Sequence, residues 1–321
     1  HCIYKYNANI YIGEDKMENL VREFEENSKR KKTKLNIKPY MYILPLGIIL
    51  VTFYVIPIIM SIYFSFTKYN IISPATFIGL ENYKKLFTDE TLKVSIINTI
   101  KFTIVVVPCQ TILSLILAVW ITGKGNSKIA SFAKGAIFIP VLSSMVLIGM
   151  VWRALLNGEG SIIYQVLGAF GIESSKLLGD SKTALPTLMF ISMWKNIGYF
   201  MVIYISAIMN LPKHCYEVAK VDGATKLQEF IKITVPLLKP TTIMVVFLGS
   251  IWSLQVFDLV YTVTGGGPGI STMSIVMHAF NLNFKNFNSG YAMTVANVLF
   301  LLIAVVSILQ NKLVKRDNSD F

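Results

Sequence analysis

Long apolar stretches alternate with short polar ones along most of this chain. Six stretches are long enough to cross the hydrocarbon core of a bilayer, which takes about 20 mostly apolar residues in an α-helix. They comprise residues 40–66, 96–121, 135–156, 184–209, 241–263 and 291–314. Because lipid offers the backbone no hydrogen-bond partners, we expect each stretch to be helical. The pattern predicts an all-α membrane protein with six transmembrane helices.

The polar segment between the fourth and fifth apolar stretches is more patterned than a connecting turn requires. Pro212 suits a first helical turn, and Asp222-Gly223 supplies a left-handed stop after residues 213–221. A second helical face follows this bend, formed by Leu227, Phe230, Ile231 and Thr234. Helices this short are marginal alone in water. We call residues 213–240 the polar island and predict that it packs on its own membrane bundle or on another protein.

Composition supports a membrane location, and the distribution of charge predicts the orientation. Of the 321 residues, 54% are hydrophobic and 15% charged, and the mean hydropathy is +0.57. With the N-terminus inside, about 20 Lys and Arg lie in the tails and the second and fourth loops, against about 7 in the other three loops. This asymmetry follows the positive-inside rule. We therefore expect cytoplasmic termini, a cytoplasmic polar island, and no nucleic-acid binding despite the net charge of +12.

The sequence predicts one membrane domain with two short tails. Residues 1–39 would form a basic cytoplasmic tail, residues 40–314 the transmembrane domain, and residues 315–321 a short cytoplasmic C-terminal tail. Residues 1–16 precede the first methionine, Met17, so we expect either that the native chain starts there or that these residues are foreign to it.

The polar island resembles the Glu-Ala-Ala loop of the membrane subunits of ATP-binding-cassette importers. The matching residues are Glu217, Ala219, Asp222, Gly223, Phe230, Ile233 and Pro236. Val218 departs from the family pattern, which has Ala at this place. In that family the loop forms a coupling helix between helices 4 and 5 that sits in a cleft of the cytoplasmic ATPase. The resemblance therefore implies that the matching residues couple this chain to an ATPase.

Other motifs narrow the resemblance to the sugar-importer permeases related to the maltose and glycerol-phosphate systems. They include Phe-Asp-Leu-Val-Tyr-Thr-Val-Thr-Gly-Gly-Gly-Pro at 257–268 and Phe-Ile-Gly-Leu-Glu-Asn-Tyr at 77–83. In these relatives the segments matching 194–199 and 252–258 line a central sugar site. Both segments place aromatic, amide and hydroxyl groups at membrane depth, where polar groups are costly and usually face a cavity. The implied contacts with the substrate are Asn196, Tyr199, Trp252, Ser253 and Gln255.

Several of these side chains have simpler interpretations. Trp194 and Trp252 are also typical of bundle cores and interfacial anchors. Lys195 either extends its ammonium toward a loop or pairs with Asp258. We expect Arg153 to be an interface anchor and assign His278, in an expected external loop, no role.

The resemblance implies the permease subunit of an ATP-driven importer that carries a sugar or oligosaccharide across the cytoplasmic membrane. Its implied partners are a second homologous permease, a cytoplasmic ATPase dimer that binds the ATP and Mg²⁺, and an extracytoplasmic solute-binding protein. We expect no ATPase site, cofactor or metal in this chain, because the three cysteines and the glycine cluster at 265–269 lack metal or phosphate-loop spacing.

Two other functions stay open at this stage. The same class of importer could carry a non-sugar cargo. An ion-coupled secondary carrier would need intramembrane carboxylates, of which Asp258 alone lies near a predicted span.

Overall fold

The computed structural model describes residues 38–125, 127–157, 162–170 and 174–317, together with positions 19 and 22. The chain divides into two units, residues 1–59 and 60–321. The predicted basic tail lies almost entirely outside the described residues, as do the last four residues of the chain. The division of the chain into tails and a membrane domain therefore stays a prediction.

Helices make up most of the described chain. Numbered in order, they are α1 Lys38–Leu50, α2 Ile56–Ser65, α3 Glu81–Lys85, α4 Glu90–Gly123, α5 Lys128–Leu142, α6 Met145–Asn157, α7 Ile162–Ala169, α8 Ser174–Gly179, α9 Ala184–Met209, α10 Lys213–Val221, α11 Lys226–Glu229, α12 Val235–Leu237, α13 Lys239–Leu254, α14 Asp258–Val263, α15 Ile275–Phe284 and α16 Ser289–Asp317. Two π-helical turns, Val51–Val55 and Phe230–Thr234, continue α1 and α11. An antiparallel hairpin of β1 Thr67–Asn70 and β2 Ser73–Phe77 pairs Thr67 with Phe77.

The long apolar helices agree with the predicted membrane spans. Four stretches are long and apolar enough to cross a bilayer: Met41–Ser65, Glu90–Gly123, Ala184–Met209 and Ser289–Lys312. Two bent pairs also qualify, α5 with α6 and the run Lys226–Leu237 with α13. The described residues thus hold four candidate spans, or six if each bent pair is one span. The mostly helical membrane fold is confirmed.

The third predicted span, residues 135–156, is not one straight helix. Helix α5 ends at Leu142 and α6 starts at Met145, with a bend of 99° between them. Ser143 adopts an extended conformation at the end of α5, and its N–H closes the last turn on the Pro140 carbonyl at 3.3 Å. The apolar pattern continues through this break, so hydrophobicity alone does not reveal it.

The fifth predicted span, residues 241–263, is also interrupted. Helix α13 ends at Leu254 and α14 begins at Asp258. The Val256 carbonyl between them accepts a hydrogen bond from Ser274 Oγ at 2.7 Å, which supplies the partner that a continuous helix would have provided. The loop expected beyond this span contains a further helix, α15.

Buried side chains concentrate where α4 packs against α9 and the interrupted fifth span. Phe102 and Val106 of α4 lie in one apolar cluster with Leu188 of α9 and Leu259 of α14. Ser114 Oγ of α4 donates to the Ile197 carbonyl of α9 at 3.0 Å. These contacts fix the position of α9 along α4.

A buried polar cluster joins the start of α4 to α15 and α16. Asp89 caps α4 by accepting from the Leu92 N–H at 3.0 Å, and it also contacts His278 Nε2 at 3.0 Å and the Tyr291 hydroxyl at 2.7 Å. His278 lies in α15, the helix within the expected loop, with 6% of its surface exposed, so it has a structural contact that the sequence did not indicate. Burial alone would raise the pKa of Asp89, but its hydrogen bonds and the charge of His278 hold that pKa below its usual value.

Asp89→Asn is expected to lower the free energy of unfolding by about 2 kcal/mol, a typical loss when a charged hydrogen-bond partner is removed from a buried site. The folded-state pKa of Asp89 is depressed. Its charge therefore stabilises the fold above the unfolded pKa of about 3.9, and this contribution disappears as the pH falls through the lower folded pKa. Thermal melting of the purified protein from pH 7 to pH 3 measures the difference, which should shrink below about pH 4.

Glu90→Gln provides the matched control. This neighbouring carboxylate is 78% exposed and pairs only with Lys93, at 2.7 Å, among the described residues. An exposed ion pair of this kind contributes at most about 1 kcal/mol. Equal melting shifts for the two variants at pH 7 would contradict the stabilising role of Asp89.

Candidate functional site

A cavity of about 280 Å³ lies where α4, α9 and the interrupted fifth span meet. We call it the central cavity. Its polar lining includes Gln110, Ser192, Lys195, Asn196, Ser253 and Gln255. Trp252 supplies an aromatic wall, and Asp258 lines the cavity from the start of α14. The cavity therefore combines an aromatic surface with amide, hydroxyl and charged groups.

The interruption of the fifth span positions much of this lining. Trp252 and Ser253 lie in the last turn of α13, Gln255 is its C-cap, and Phe257 is the N-cap of α14. Non-helical backbone at membrane depth is tolerated where it is buried in protein or lines a cavity. The break thus presents consecutive residues to the cavity, whereas a continuous helix would direct them around its circumference.

Four of the five substrate contacts implied by the sequence meet in this cavity. Asn196, Trp252, Ser253 and Gln255 all line it. Tyr199 is absent from the lining and packs instead behind Trp252, with 5.0 Å between the ring centroids. Tyr199 is therefore placed to orient the Trp252 ring.

The structure adds four polar lining residues that the sequence analysis did not select as contacts: Gln110, Ser192, Lys195 and Asp258. Gln110 is only 1% exposed, and its Oε1 accepts no hydrogen bond from the described residues. Its sequence signal is a glutamine in the middle of the second apolar stretch. Lys195 and Asp258 line the same cavity, yet no ion pair joins them among the described residues.

The first helix of the polar island ends as its sequence predicts. Helix α10 stops at Val221, and Gly223 has φ of +74°, in the left-handed region. The Ala224 N–H donates to the Ala219 carbonyl at 2.9 Å and the Gly223 N–H to the Lys220 carbonyl at 3.1 Å. These two bonds form a Schellman motif. Pro212 is the N-cap rather than the first helical residue.

The second helix of the island starts with a capping box that the sequence analysis missed. Thr225 Oγ1 accepts from the Gln228 N–H at 3.3 Å, and the Thr225 N–H donates to Gln228 Oε1 at 2.8 Å. Thr followed three residues later by Gln is the sequence signal for this cap. The hydroxyls of Tyr216 and Thr234 lie 3.0 Å apart and connect the island's two halves.

Several apolar and charged side chains of the island face outward. Val221 is 87% exposed and Leu227 66% exposed. Of the residues matched to the Glu-Ala-Ala loop, Ala219 is buried, Phe230 and Ile233 are half-buried, and the exposed ones are Glu217, Asp222, Gly223 and Pro236. The Glu217 carboxylate makes no ion pair with the neighbouring described lysines, Lys213 and Lys220. The island therefore carries apolar surface and a carboxylate that the described residues leave uncovered.

Comparison with known families identifies the family to which this chain belongs. Residues 95–317 match the family described as the inner membrane component of binding-protein-dependent transport systems. This match covers the central cavity, the polar island and both bent helix pairs. The chain belongs to this family. It is a multi-pass inner-membrane permease, as the sequence predicted.

Curated relatives match this permease over almost their whole length. It is 32% identical over 282 residues to the "Probable ABC transporter permease protein YurN" of Bacillus subtilis, covering 87% of this chain and 96% of the relative. It is 30% identical over 275 residues to the multiple sugar-binding transport system permease protein MsmF of Streptococcus mutans, covering 85% and 93%. The expected family resemblance is confirmed.

A solved structure shares the fold of the permease. A chain from the crystal structure of a bacterial ABC transporter involved in the import of the acidic polysaccharide alginate has a TM-score of 0.78 and 20% sequence identity. The match covers 92% of this permease and 99% of that chain. The overall fold of this permease is therefore shared with a chain of a solved transporter.

Proposed function

We propose that this permease carries a sugar or oligosaccharide inward through the central cavity, driven by a separate ATPase. The supporting observation is the lining: Trp252 offers an aromatic face, while Gln110, Asn196 and Ser253 offer amide and hydroxyl groups. A sugar has apolar ring faces and many hydroxyls, so it needs both kinds of contact. The buried Gln110 Oε1, which accepts no hydrogen bond from the described residues, is available to a cargo hydroxyl.

The proposed topology has six spans with both termini in the cytoplasm. Residues 1–39 and 315–321 are the tails, and the polar island is a cytoplasmic coupling segment between the fourth and fifth spans. The asymmetric charge distribution supports this orientation. The exposed apolar side chains, and the Glu217 carboxylate that forms no ion pair among the described residues, support docking of the island on another protein.

The proposed complex contains three kinds of partner. A second homologous permease completes the path, a cytoplasmic ATPase dimer binds ATP and Mg²⁺, and a solute-binding protein delivers cargo from outside. One similar solved structure is a transporter in complex with a pentasaccharide-bound periplasmic protein, which supports a partner of that kind. This chain itself would have no enzymatic activity and bind no cofactor.

Family membership favours this mechanism over an ion-coupled carrier. A non-sugar cargo would be the second candidate, because Lys195 and Asp258 add opposite charges to the central cavity. Uptake assays that include amino acids beside sugars separate the two.

Trp252→Ala is expected to reduce sugar uptake about tenfold at low sugar concentration. Loss of an aromatic contact worth about 1.4 kcal/mol corresponds to this factor. Basal ATP hydrolysis should persist, because the polar island is unchanged. The measurement is uptake of radiolabelled maltose, trehalose or lactose into proteoliposomes that contain the complete transporter.

Trp194→Ala is the matched control on the neighbouring helix. Trp194 is 41% exposed, as Trp252 is, but its ring packs on Trp152 at 5.7 Å and does not line the central cavity. Equal uptake by the wild type and Trp252→Ala, or equal losses in both variants, would remove Trp252 from the proposed path.

A further inference from the structure

A second cavity, of about 680 Å³, is lined by residues of α14 that lie one turn beyond those lining the central cavity. We call it the outer cavity, because the proposed topology places the loop after α14 outside the membrane. Its lining includes Met150, Arg153, Tyr261, Thr262, Gly265 and Lys285. The glycine-rich segment that follows α14 thus contributes to its wall.

Helix α14 is the shared wall of the two cavities. Phe257 and Asp258 line the central cavity, and Tyr261 and Thr262, one turn later, line the outer cavity. The Phe257 and Tyr261 rings stack with centroids 5.4 Å apart and an interplanar angle of 29°. One aromatic ring of a stacked pair therefore lies in each cavity.

The aromatic surface continues along α15. Phe280 lies 5.1 Å from Phe257 and 5.3 Å from Tyr261, measured between ring centroids, and Phe284 lies 4.8 Å from Phe280. Tyr261 is 47% exposed and Phe284 is 56% exposed. These rings form a continuous aromatic strip with accessible faces, a surface on which the apolar faces of sugar rings can stack.

Two cations line the outer cavity together with Tyr261. Arg153 Nη1 donates to the Thr262 carbonyl at 3.3 Å, which ties the guanidinium to α14, and the described residues accept no other hydrogen bond from this guanidinium. Lys285 directly follows Phe284 at the end of α15. Among the described lining residues, none carries a carboxylate to neutralise these cations. The cavity thus offers several hydrogen-bond donors with positive charge beside an aromatic ring.

We propose that the outer cavity is a second saccharide subsite, in which one ring of an oligosaccharide stacks on Tyr261 while Arg153 and Lys285 donate to its oxygens. These oxygens belong to hydroxyls of a neutral sugar or to the carboxylate of an acidic one. The inference rests on the proposed function, which supplies the sugar and the outward placement. A cargo of two or more rings would engage both cavities along α14, whereas a monosaccharide would occupy only one.

The test measures saccharide binding to the purified complete transporter by saturation-transfer NMR. The probes are glucose, maltotriose and trigalacturonate. We expect Tyr261→Ala to weaken maltotriose binding about tenfold while glucose binding changes less than about twofold, since one stacking contact is worth about 1.4 kcal/mol. Tyr261→Phe keeps the ring and should retain binding, which separates loss of stacking from misfolding.

Variants of the two cationic residues show whether the bound oxygens belong to hydroxyls or to a carboxylate. If the subsite binds a carboxylate, Arg153→Gln and Lys285→Gln should weaken trigalacturonate binding more than maltotriose binding. If it binds hydroxyls, the two variants should weaken the binding of both trisaccharides equally. The subsite is refuted if all these variants bind both trisaccharides as the wild type does while Trp252→Ala loses them. If the wild type binds no saccharide, or Trp252→Ala changes nothing, the proposed sugar path itself fails.

Discussion

Gly223→Val is expected to abolish ATP-driven uptake while the permease still inserts into the membrane. Gly223 has φ of +74° at the end of α10, a conformation that a β-branched residue adopts only with strain. The left-handed conformation costs an L-residue about 1–2 kcal/mol, and the Schellman bonds to Lys220 and Ala219 depend on it. Relaxation of this strain would reorient α10 relative to α11 and thereby change the surface proposed to dock on the ATPase.

Gly223→Asn is the control for this variant. Asparagine tolerates the left-handed region better than other residues, and a Cβ at this position meets no atom within 4 Å. Uptake into proteoliposomes and co-purification with the ATPase should be lost in Gly223→Val and largely kept in Gly223→Asn. Full uptake by Gly223→Val would show that the bend is dispensable.

Glu217→Ala tests the charge on the same surface. The carboxylate is exposed and makes no ion pair with described residues, so its removal should leave the fold of this chain unchanged. Removing one member of a desolvated interfacial charge pair costs about 2–5 kcal/mol. We therefore expect loss of co-purification with the ATPase, with the exposed Lys213→Ala as the control. If the Glu217→Ala variant kept a tightly bound ATPase, the apolar residues alone would account for docking.

Gly198→Ala is expected to prevent correct packing of α9 on α5. A Cβ at Gly198 would clash with the Ile137 carbonyl oxygen and lie 3.0 Å from Val141 Cγ2, so one helix must move. Overpacking of a closely packed interior typically costs about 1–3 kcal/mol and is more severe against backbone than against a flexible side chain. Gly198 lies between Asn196 and Tyr199, so the shift would also displace the wall of the central cavity.

Gly135→Ala is the matched control, because Gly135 lies in α5 and a Cβ there meets no atom within 4 Å. The yield of monodisperse protein in detergent and its melting temperature measure the effect. Gly198→Ala should lose most of the folded protein or melt several degrees lower, since 1 kcal/mol shifts the midpoint of a domain of this size by about 2–4 °C. Identical behaviour of the two variants would contradict the close approach of α9 and α5.

Local pattern was sufficient for the features that depend on one segment. The fourth apolar stretch, residues 184–209, coincides with α9 Ala184–Met209. The stop at Gly223 followed from the glycine itself, and the capping box at Thr225 was readable although it was missed. Each of these features depends on bonds between residues at most five positions apart, so the sequence around them contains their determinants.

The features that depend on distant partners were not predictable in this way. The break at Val256 is stabilised by Ser274, and Asp89 meets His278 and Tyr291 across about 190 and 200 positions of the chain. Hydropathy continues smoothly through the breaks, because both a continuous and an interrupted helix can be apolar. The packing of α4, α9 and α14 then decided which polar side chains share a cavity.

The sequence by itself determined the membrane class, the approximate spans, the polar island and the family. Hydrophobic periodicity, charge asymmetry and capping residues can all be recognised along the sequence, without knowledge of which helices pack together. Only the tertiary structure decided that Gln110, Lys195 and Asp258 line the central cavity with Trp252, and that Tyr199 supports the Trp252 ring. The physical reason is that a cavity is created by the packing of separate helices, and no single helix encodes which of its polar residues will face one.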